Sequence, residues 1–207
     1  MCWTANDSIP NDSMTDSEPR QVDRPFAVWL TGRPASGKST IADALHTRLR
    51  ACGATVATLE SDRLRPVLTP DPQYTPDERD RFYHGLLELG RVLIEQRVSV
   101  VFDDTANRAA YRERARQQID RFVEVHVACP LEVCEQRDPK GIYAKARAGE
   151  IRSVPGFDAP YEAPVDPELR IDATAESSED AAGRIVDHLR ERGFIDDAHD
   201  RRDRQIG

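Results

Sequence analysis

Short apolar runs alternate along this chain with segments in which apolar residues recur every three to four positions. The clearest runs are FAVWLT (26–31) and VSVVF (98–102), which are short and partly β-branched, as buried strands are. Weaker runs of the same kind lie at 55–60 and 122–128. Helical periodicity is found near 38–51, 77–96, 108–119, 131–137 and 178–192.

The last of these helices has recognisable ends. Ser177 precedes it and Asp180 follows three residues later, which is the spacing of a capping box, and Gly193 stands where a helix stop belongs. Strands that alternate with helices predict βαβ units. We therefore expect an α/β fold with a mainly parallel sheet and helices on both faces.

The domain organisation follows from where this alternation begins and ends. Residues 1–24 are polar and predicted to be a disordered leader, and residues 195–207 form a charged tail predicted to be mobile. Residues 25–194 are expected to form one domain. Within it, residues 138–168 contain repeated prolines and glycines, and an irregular insertion of this length is usually either functional or disordered.

The charge balance and the lengths of the apolar runs limit the kinds of partner that the chain is expected to bind. The formal net charge of −8 argues against a nucleic-acid binder, and no apolar run approaches the ~20 residues that span a bilayer. The four cysteines lack C-x-x-C spacing, which predicts reduced thiols and a cytoplasmic protein. The expected partner is a small molecule.

Candidate chemistry begins at GRPASGKST, residues 32–40, between the first predicted strand and the first predicted helix. The pattern G-x-x-x-x-G-K-[ST] predicts a phosphate-binding loop (P-loop), in which backbone N–H groups surround phosphate oxygens at the N-terminus of a helix. Lys38 is the predicted catalytic cation and Ser39 the predicted Mg²⁺ ligand. The predicted nucleotide-binding residues are Gly32, Ala35, Ser36, Gly37, Lys38, Ser39 and Thr40.

A chance turn is the alternative for such a pattern, but the strand before it and the helix after it favour ATP binding. Two classes of protein remain. One is an enzyme that transfers phosphate to a small molecule, and the other is a nucleotide-driven switch or motor. The length of the chain and the residues that follow favour the enzyme.

Acceptor-side candidates follow the second predicted strand. Asp62 and Arg65 lie at its carboxyl end, where ligands bind in open α/β sheets. A carboxylate there can accept a hydroxyl proton, and an arginine can bind an anionic acceptor through two hydrogen bonds. A helix cap followed by a solvated arginine is an equally good interpretation of this spacing.

Three segments together resemble a known family. LESDRLR (59–65), YTPDER (74–79) and above all RDPKGIYAKARAGEI (137–151) are similar to the adenylylsulfate (APS) kinases, and the resemblance covers residues 25–172. It implies a Mg²⁺-dependent transfer of the ATP γ-phosphate to the 3′-hydroxyl of adenylylsulfate. It also implies a P-loop NTPase fold, a mobile lid at about residues 138–168, and a homodimer.

The resemblance also implies roles for individual residues. Asp62 matches a residue near the acceptor hydroxyl, and Arg65 and Arg79 match arginines that would hold its anionic group. Arg137, at the base of the lid, is expected to contact the nucleotide. The matching lid residues, expected to close over the substrates, are Lys140, Ile142 and Tyr143.

The chain departs from the family pattern on the acceptor side. Phe82 and Gly85 stand where the family has Asn and Arg, and Val154 stands where a lid phenylalanine stacks on the acceptor adenine. DTANRA (104–109) replaces another family segment and resembles the Asp-x-Asn turn of other P-loop kinases.

This replacement has chemistry of its own. Asp103 and Asp104 end an apolar strand, and Asp104 is a second candidate catalytic residue, although it could instead cap the following helix. Together with Asn107 and Arg108, Asp104 could hold a different acceptor. Two alternatives to adenylylsulfate kinase therefore stay open. They are a related kinase for another hydroxylated, anionic small molecule, and a catalytically weak regulatory protein that binds nucleotide. Whether Asp62 or Asp104 takes the proton also stays open.

Overall fold

The structure is a computed structural model that describes residues 24–196. The predicted leader and tail lie outside the described residues except at their inner ends. Within the described part, no helix combines the length and the apolar character needed to cross a membrane.

A five-stranded parallel sheet forms the centre of the domain. Its spatial order is β2-β3-β1-β4-β5, so the strand before the P-loop is the middle one. The strands are β1 (Ala27–Thr31), β2 (Val56–Glu60), β3 (Ser99–Asp103), β4 (Phe122–Ala128) and β5 (Leu169–Asp172).

Seven helices are found among the described residues. They are α1 (Lys38–Ala51), α2 (Ser61–Leu68), α3 (Pro76–Glu95), α4 (Ala109–Gln118), α5 (Leu131–Arg137), α6 (Ile142–Arg147) and α7 (Ser178–Glu191). The predicted cap of α7 is confirmed, because the Ser177 side chain accepts a hydrogen bond from the Asp180 N–H and Gly193 has φ 63°.

The four predicted strands and five predicted helices are confirmed within a few residues. Three short elements were not predicted. α2 contains Pro66 and buries no residue, α6 has only 6 residues inside the Pro/Gly-rich segment, and β5 has only 4. Elements this short carry too little periodicity to be read from one sequence.

Helices cover both faces of the sheet, as predicted. Successive side chains of β1 point to opposite faces. Val28 and Leu30 pack in one apolar cluster with residues of α1 and α7, and Ala27 and Trp29 pack in the other with residues of α3 and α4. Because both faces are covered, the carboxyl edge of the sheet is the place where loops can build a site.

Candidate active site

The loop after β1 has the geometry of an anion-binding turn. Gly37 is the N-cap of α1 and has φ 101°, which favours glycine. A Cβ on Gly32 would lie 2.6 Å from the Val127 carbonyl oxygen, so this position also requires glycine. Ala35 takes a left-handed conformation at φ 58°, a strain of the kind found at functional sites.

Lys38 is buried beneath this loop. Its Nζ donates hydrogen bonds to the carbonyl oxygens of Gly32 at 3.1 Å and Arg33 at 2.9 Å. Burial lowers the pKa of Lys38, while Asp103, Asp104 and Asp62 oppose that shift. The ammonium is thus held inside the loop that would surround phosphate oxygens.

A cleft of about 670 Å³ opens beside the P-loop. It lies between the start of α1, the carboxyl ends of β2 and β3, and the first part of the lid. Its lining includes Ala35, Gly37, Lys38, Ser39, Thr40, Asp62, Asp103, Arg137, Lys140 and Ile142. Most of the residues predicted to bind nucleotide therefore meet in one cavity.

Asp103, the last residue of β3, faces this cleft. Its carboxylate lies near the Ser39 hydroxyl and near Lys38. Burial raises the pKa of Asp103, although Lys38 and Ser39 oppose the shift. Asp103 is therefore the acidic residue that the structure places next to the P-loop serine.

Asp104, the residue preferred from the sequence, is buried and does not line the cleft. Its Oδ1 accepts hydrogen bonds from the Tyr83 hydroxyl at 2.7 Å and the Ala106 N–H at 2.9 Å. Burial raises the pKa of Asp104. This arrangement fits a residue that orders the β3–α4 turn, and a direct role of Asp104 in the reaction stays a prediction.

A second, smaller cavity of about 390 Å³ adjoins the cleft, and Asp62 lines both. Its other walls come from α2 and the loop before α3, and they include Arg65 and Tyr74. Tyr74 is held at φ 55° because Glu78 accepts its N–H and Arg79 donates to its carbonyl oxygen.

The predicted anion-binding arginines have different surroundings. Arg65 lies over the ring of Phe82, with 3.7 Å from its guanidinium carbon to the ring centroid, and forms no salt bridge with residues 24–196. Arg79 is buried and donates to the carbonyl oxygens of Tyr74 and Ser153. Arg79 thus joins the wall of the smaller cavity to the lid, whereas Arg65 keeps hydrogen-bond donors free.

Asn107 and Arg108 lie outside both cavities. The Asn107 side chain donates to the Pro160 carbonyl oxygen at 3.1 Å, and Arg108 forms an exposed ion pair with Asp80. The grouping of these two residues with Asp104 around a different acceptor is not supported by these contacts, and it stays a prediction.

The first part of the lid contacts the P-loop and the sheet edge. The Tyr143 hydroxyl donates to the Pro34 carbonyl oxygen at 3.0 Å, and Lys140 pairs with Asp62 across the cleft. The hydrogen bond with Asp62 raises the pKa of Lys140. Arg137 donates to the Ser36 carbonyl oxygen at 3.4 Å. Tyr143 is buried, so it positions the lid and leaves Ile142 to line the cleft.

The second part of the lid is attached to the domain at several points. Asn107 and Arg112 donate to the carbonyl oxygens of Pro160 and Glu162. Val154 is buried in an apolar cluster of the lid and lines neither cavity. The mobility of the lid stays a prediction.

The sequence interpretation missed Tyr74 and gave no role to Asp103. The strand pattern offered a signal for Asp103, since it is the last strand residue before the turn. Tyr74 begins YTPDER, one of the segments that resemble the family, but its place in the cavity wall depends on contacts with Glu78 and Arg79 that the sequence does not show.

Comparison with known proteins gives consistent matches. The family model for adenylylsulphate kinase matches residues 24–172. The adenylyl-sulfate kinase of Halothermothrix orenii is 37% identical over 168 residues, which are 81% of this chain and 91% of that protein. That of Microcystis aeruginosa is 38% identical over 175 residues, 84% and 97% of the two chains. The solved APS kinase of Mycobacterium tuberculosis in complex with AMPPNP and APS has a TM-score of 0.76 and 35% identity, covering 81% of this chain and 98% of that one.

Proposed function

The chain belongs to the adenylylsulphate kinase family, and we propose that it transfers the γ-phosphate of ATP to the 3′-hydroxyl of adenylylsulfate, a reaction of sulfate assimilation. One observation supports this proposal most strongly. The P-loop cleft and the smaller cavity share Asp62, so a phosphate donor and an acceptor would meet at one carboxylate.

On the donor side, the P-loop backbone and Lys38 bind the β- and γ-phosphates. Lys38 now donates to two carbonyl oxygens of the loop, and these bonds would be exchanged for phosphate oxygens. Positioning and neutralisation of charge provide most of the catalysis in phosphoryl transfer.

The donor set at the cleft fits Mg²⁺. The Ser39 hydroxyl and the Asp103 carboxylate line the same cleft and would provide two hard oxygen ligands. Residues 24–196 contain no group of three or more His, Cys, Asp or Glu side chains arranged for a metal, so the remaining ligands would be phosphate oxygens and water. When bound, Mg²⁺ would neutralise charge on the phosphates.

On the acceptor side, we propose that Asp62 orients the attacking hydroxyl. Asp62 is exposed and paired with Lys140, which is itself 53% exposed, so this pair can separate when substrates bind. Arg65 binds the anionic group of the acceptor through its free N–H groups. Arg79 acts indirectly, because it holds Tyr74 and the Ser153 end of the lid.

Product analysis with labelled ATP tests this function. Wild-type protein is incubated with Mg²⁺, labelled ATP and, in separate reactions, adenylylsulfate, a sugar acid, a nucleoside and a 5′-hydroxyl oligonucleotide. We expect label on the 3′-hydroxyl of adenylylsulfate and little elsewhere. Label transferred only to another acceptor would contradict the proposal.

A homodimer and a cytoplasmic location complete the proposal. Leu89 and Val92 on α3 are 40% and 53% exposed, and a second copy would cover apolar surface of this kind. Light scattering of the purified protein tests the dimer. Among residues 24–196, the free thiols of Cys129 and Cys134 are compatible with a reducing compartment.

A further inference from the structure

The acceptor side contains a cation held by aromatic rings. The guanidinium carbon of Arg65 lies 3.7 Å from the centroid of Phe82, 5.3 Å from that of Tyr74 and 6.0 Å from that of Tyr83. Arg65 forms no salt bridge with residues 24–196, and its Nη1 is buried with no hydrogen-bond partner. A buried donor without a protein partner is stabilised by any acceptor that reaches it, such as an oxygen of an anionic ligand.

Stacking and hydrogen bonding use different parts of a guanidinium. An aromatic ring contacts its flat face, while all five N–H groups lie in its plane and stay available for an anion. Phe82 is 3% exposed and packs in the core with Leu86 and Trp29, so its ring is itself fixed. The fixed ring limits the orientations that Arg65 can take, which lowers the entropy cost of binding.

We propose that Phe82 is a positioning residue for the acceptor: its ring fixes the Arg65 guanidinium so that the free N–H groups bind the anionic phosphosulfate group in the smaller cavity. This inference rests on the proposed function. It also gives a physical meaning to the departure at position 82, because the polar side chain that the family uses there is replaced by a support for the neighbouring arginine.

Substitution of the ring tests this role. Phe82→Leu keeps an apolar side chain and removes the aromatic face. We expect the KM for adenylylsulfate to rise about 3- to 10-fold, as the loss of a partly buried cation–π contact would give. The kcat and the KM for ATP should stay within about twofold of wild type.

Phe122→Leu is the matched control. Phe122 lies in the same core cluster, is also 3% exposed, and lies beneath a different arginine, Arg116, at 5.2 Å. It begins β4, at the sheet edge opposite the cleft. We expect a similar loss of thermal stability and an unchanged KM for adenylylsulfate. A similar rise in the KM for adenylylsulfate in both variants would show that Phe82 contributes only to core packing.

A double-mutant cycle with Arg65→Lys tests whether Phe82 acts through Arg65. Lysine keeps the positive charge but lacks the planar guanidinium, which stacks on an aromatic ring and forms two hydrogen bonds to one anion. If Phe82 acts through Arg65, Phe82→Leu should raise the KM for adenylylsulfate by less than twofold in the Arg65→Lys background. If Phe82→Leu instead raised the KM for adenylylsulfate by the same factor in the Arg65→Lys background as in wild type, the proposed coupling would be wrong.

Sulfate binding separates this inference from the proposed function. Calorimetric titration of the ADP-saturated enzyme with sulfate requires no turnover. We expect Phe82→Leu to bind sulfate at least threefold more weakly than wild type and Phe122→Leu. Equal affinity in all three proteins would overturn the positioning role. Failure of wild type to phosphorylate adenylylsulfate, with a sulfate affinity that still depends on Phe82, would overturn the function alone.

Discussion

The ATP side and the acceptor side of this site are built in different ways. The ATP side consists mainly of nine consecutive residues, 32–40, whose backbone turns into α1. The acceptor side combines α2, the loop before α3, the end of β3 and the lid, which are separated by up to about a hundred residues in the chain. A local loop can be recognised from a motif, whereas an assembled pocket depends on packing.

This difference has a consequence for substitutions. On the ATP side, we expect one side chain, Lys38, to neutralise most of the charge that develops on the phosphates. On the acceptor side, residues support one another, as Phe82 supports Arg65 and as Glu78 and Arg79 support Tyr74. We therefore expect large effects from single changes in the P-loop and smaller, coupled effects elsewhere.

The largest expected effect is that of Lys38→Ala. Loss of the ammonium should lower kcat by about 10³-fold or more, because it removes charge that stabilises the transition state. Steady-state kinetics and a thermal melt measure activity and fold together. Lys145→Ala, at an exposed position on α6 outside the cleft, is the control and should keep wild-type activity. Near-normal phosphotransfer by Lys38→Ala would contradict the interpretation of residues 32–40 as the loop that binds the ATP phosphates.

The next largest effect is expected at Asp103, and it distinguishes this residue from the adjacent Asp104. Asp103→Asn should lower kcat by about 10²-fold and raise the Mg²⁺ concentration needed for half-maximal rate, because a metal ligand is lost. Asp104→Asn keeps an oxygen for the Tyr83 hydroxyl and should change kcat by less than about tenfold. Mg²⁺ titrations of both variants provide the test, and the reverse ranking would favour Asp104 as the acidic residue of the reaction.

The pH dependence should report the same carboxylate. Burial raises the pKa of Asp103 above the ordinary carboxyl value, and only the ionised form can bind Mg²⁺. Activity should therefore fall as the pH drops through this raised pKa, at a higher pH than an exposed aspartate would give. In kcat/KM profiles for ATP, Asp103→Asn should lack this acid limb. If the acid side of the kcat/KM profile were identical in wild type and Asp103→Asn, the titrating group would be a different residue.

A smaller effect is expected in the lid. Tyr143→Phe removes the hydroxyl that donates to the Pro34 carbonyl oxygen and keeps the buried ring. Loss of one such bond is worth about 1 kcal/mol, so the KM for ATP should rise roughly fivefold with little change in kcat. Steady-state kinetics measure both constants. An unchanged KM would mean that this bond does not hold the lid in the productive position.

The contrast between the two sides also explains how much could be predicted from the sequence. The P-loop residues, the alternation of strands and helices, and the placement of Asp62 at a strand end are all visible as local patterns. The strand pattern does not distinguish Asp103 from the adjacent Asp104, and only the sheet register with β1 and β2 places Asp103 near Ser39.

Two acceptor-side residues could not be interpreted from the sequence for physical reasons. At Phe82 the sequence shows only that an Asn of the family is replaced, because the stacking of Arg65 on the Phe82 ring requires α2 and α3 to pack together. Val154 replaces an aromatic residue of the family pattern, yet it lies in the apolar cluster of the lid, and Tyr74 provides the aromatic ring of the smaller cavity.

The specificity constant for adenylylsulfate tests the central claim most directly, since it requires both sides of the site to act in one reaction. With saturating Mg·ATP, we expect kcat/KM in the ordinary range of enzymes, about 10⁴ M⁻¹s⁻¹ or higher, and one ADP released for each adenylylsulfate phosphorylated. A rate of ADP release that is independent of adenylylsulfate at all concentrations would contradict the account.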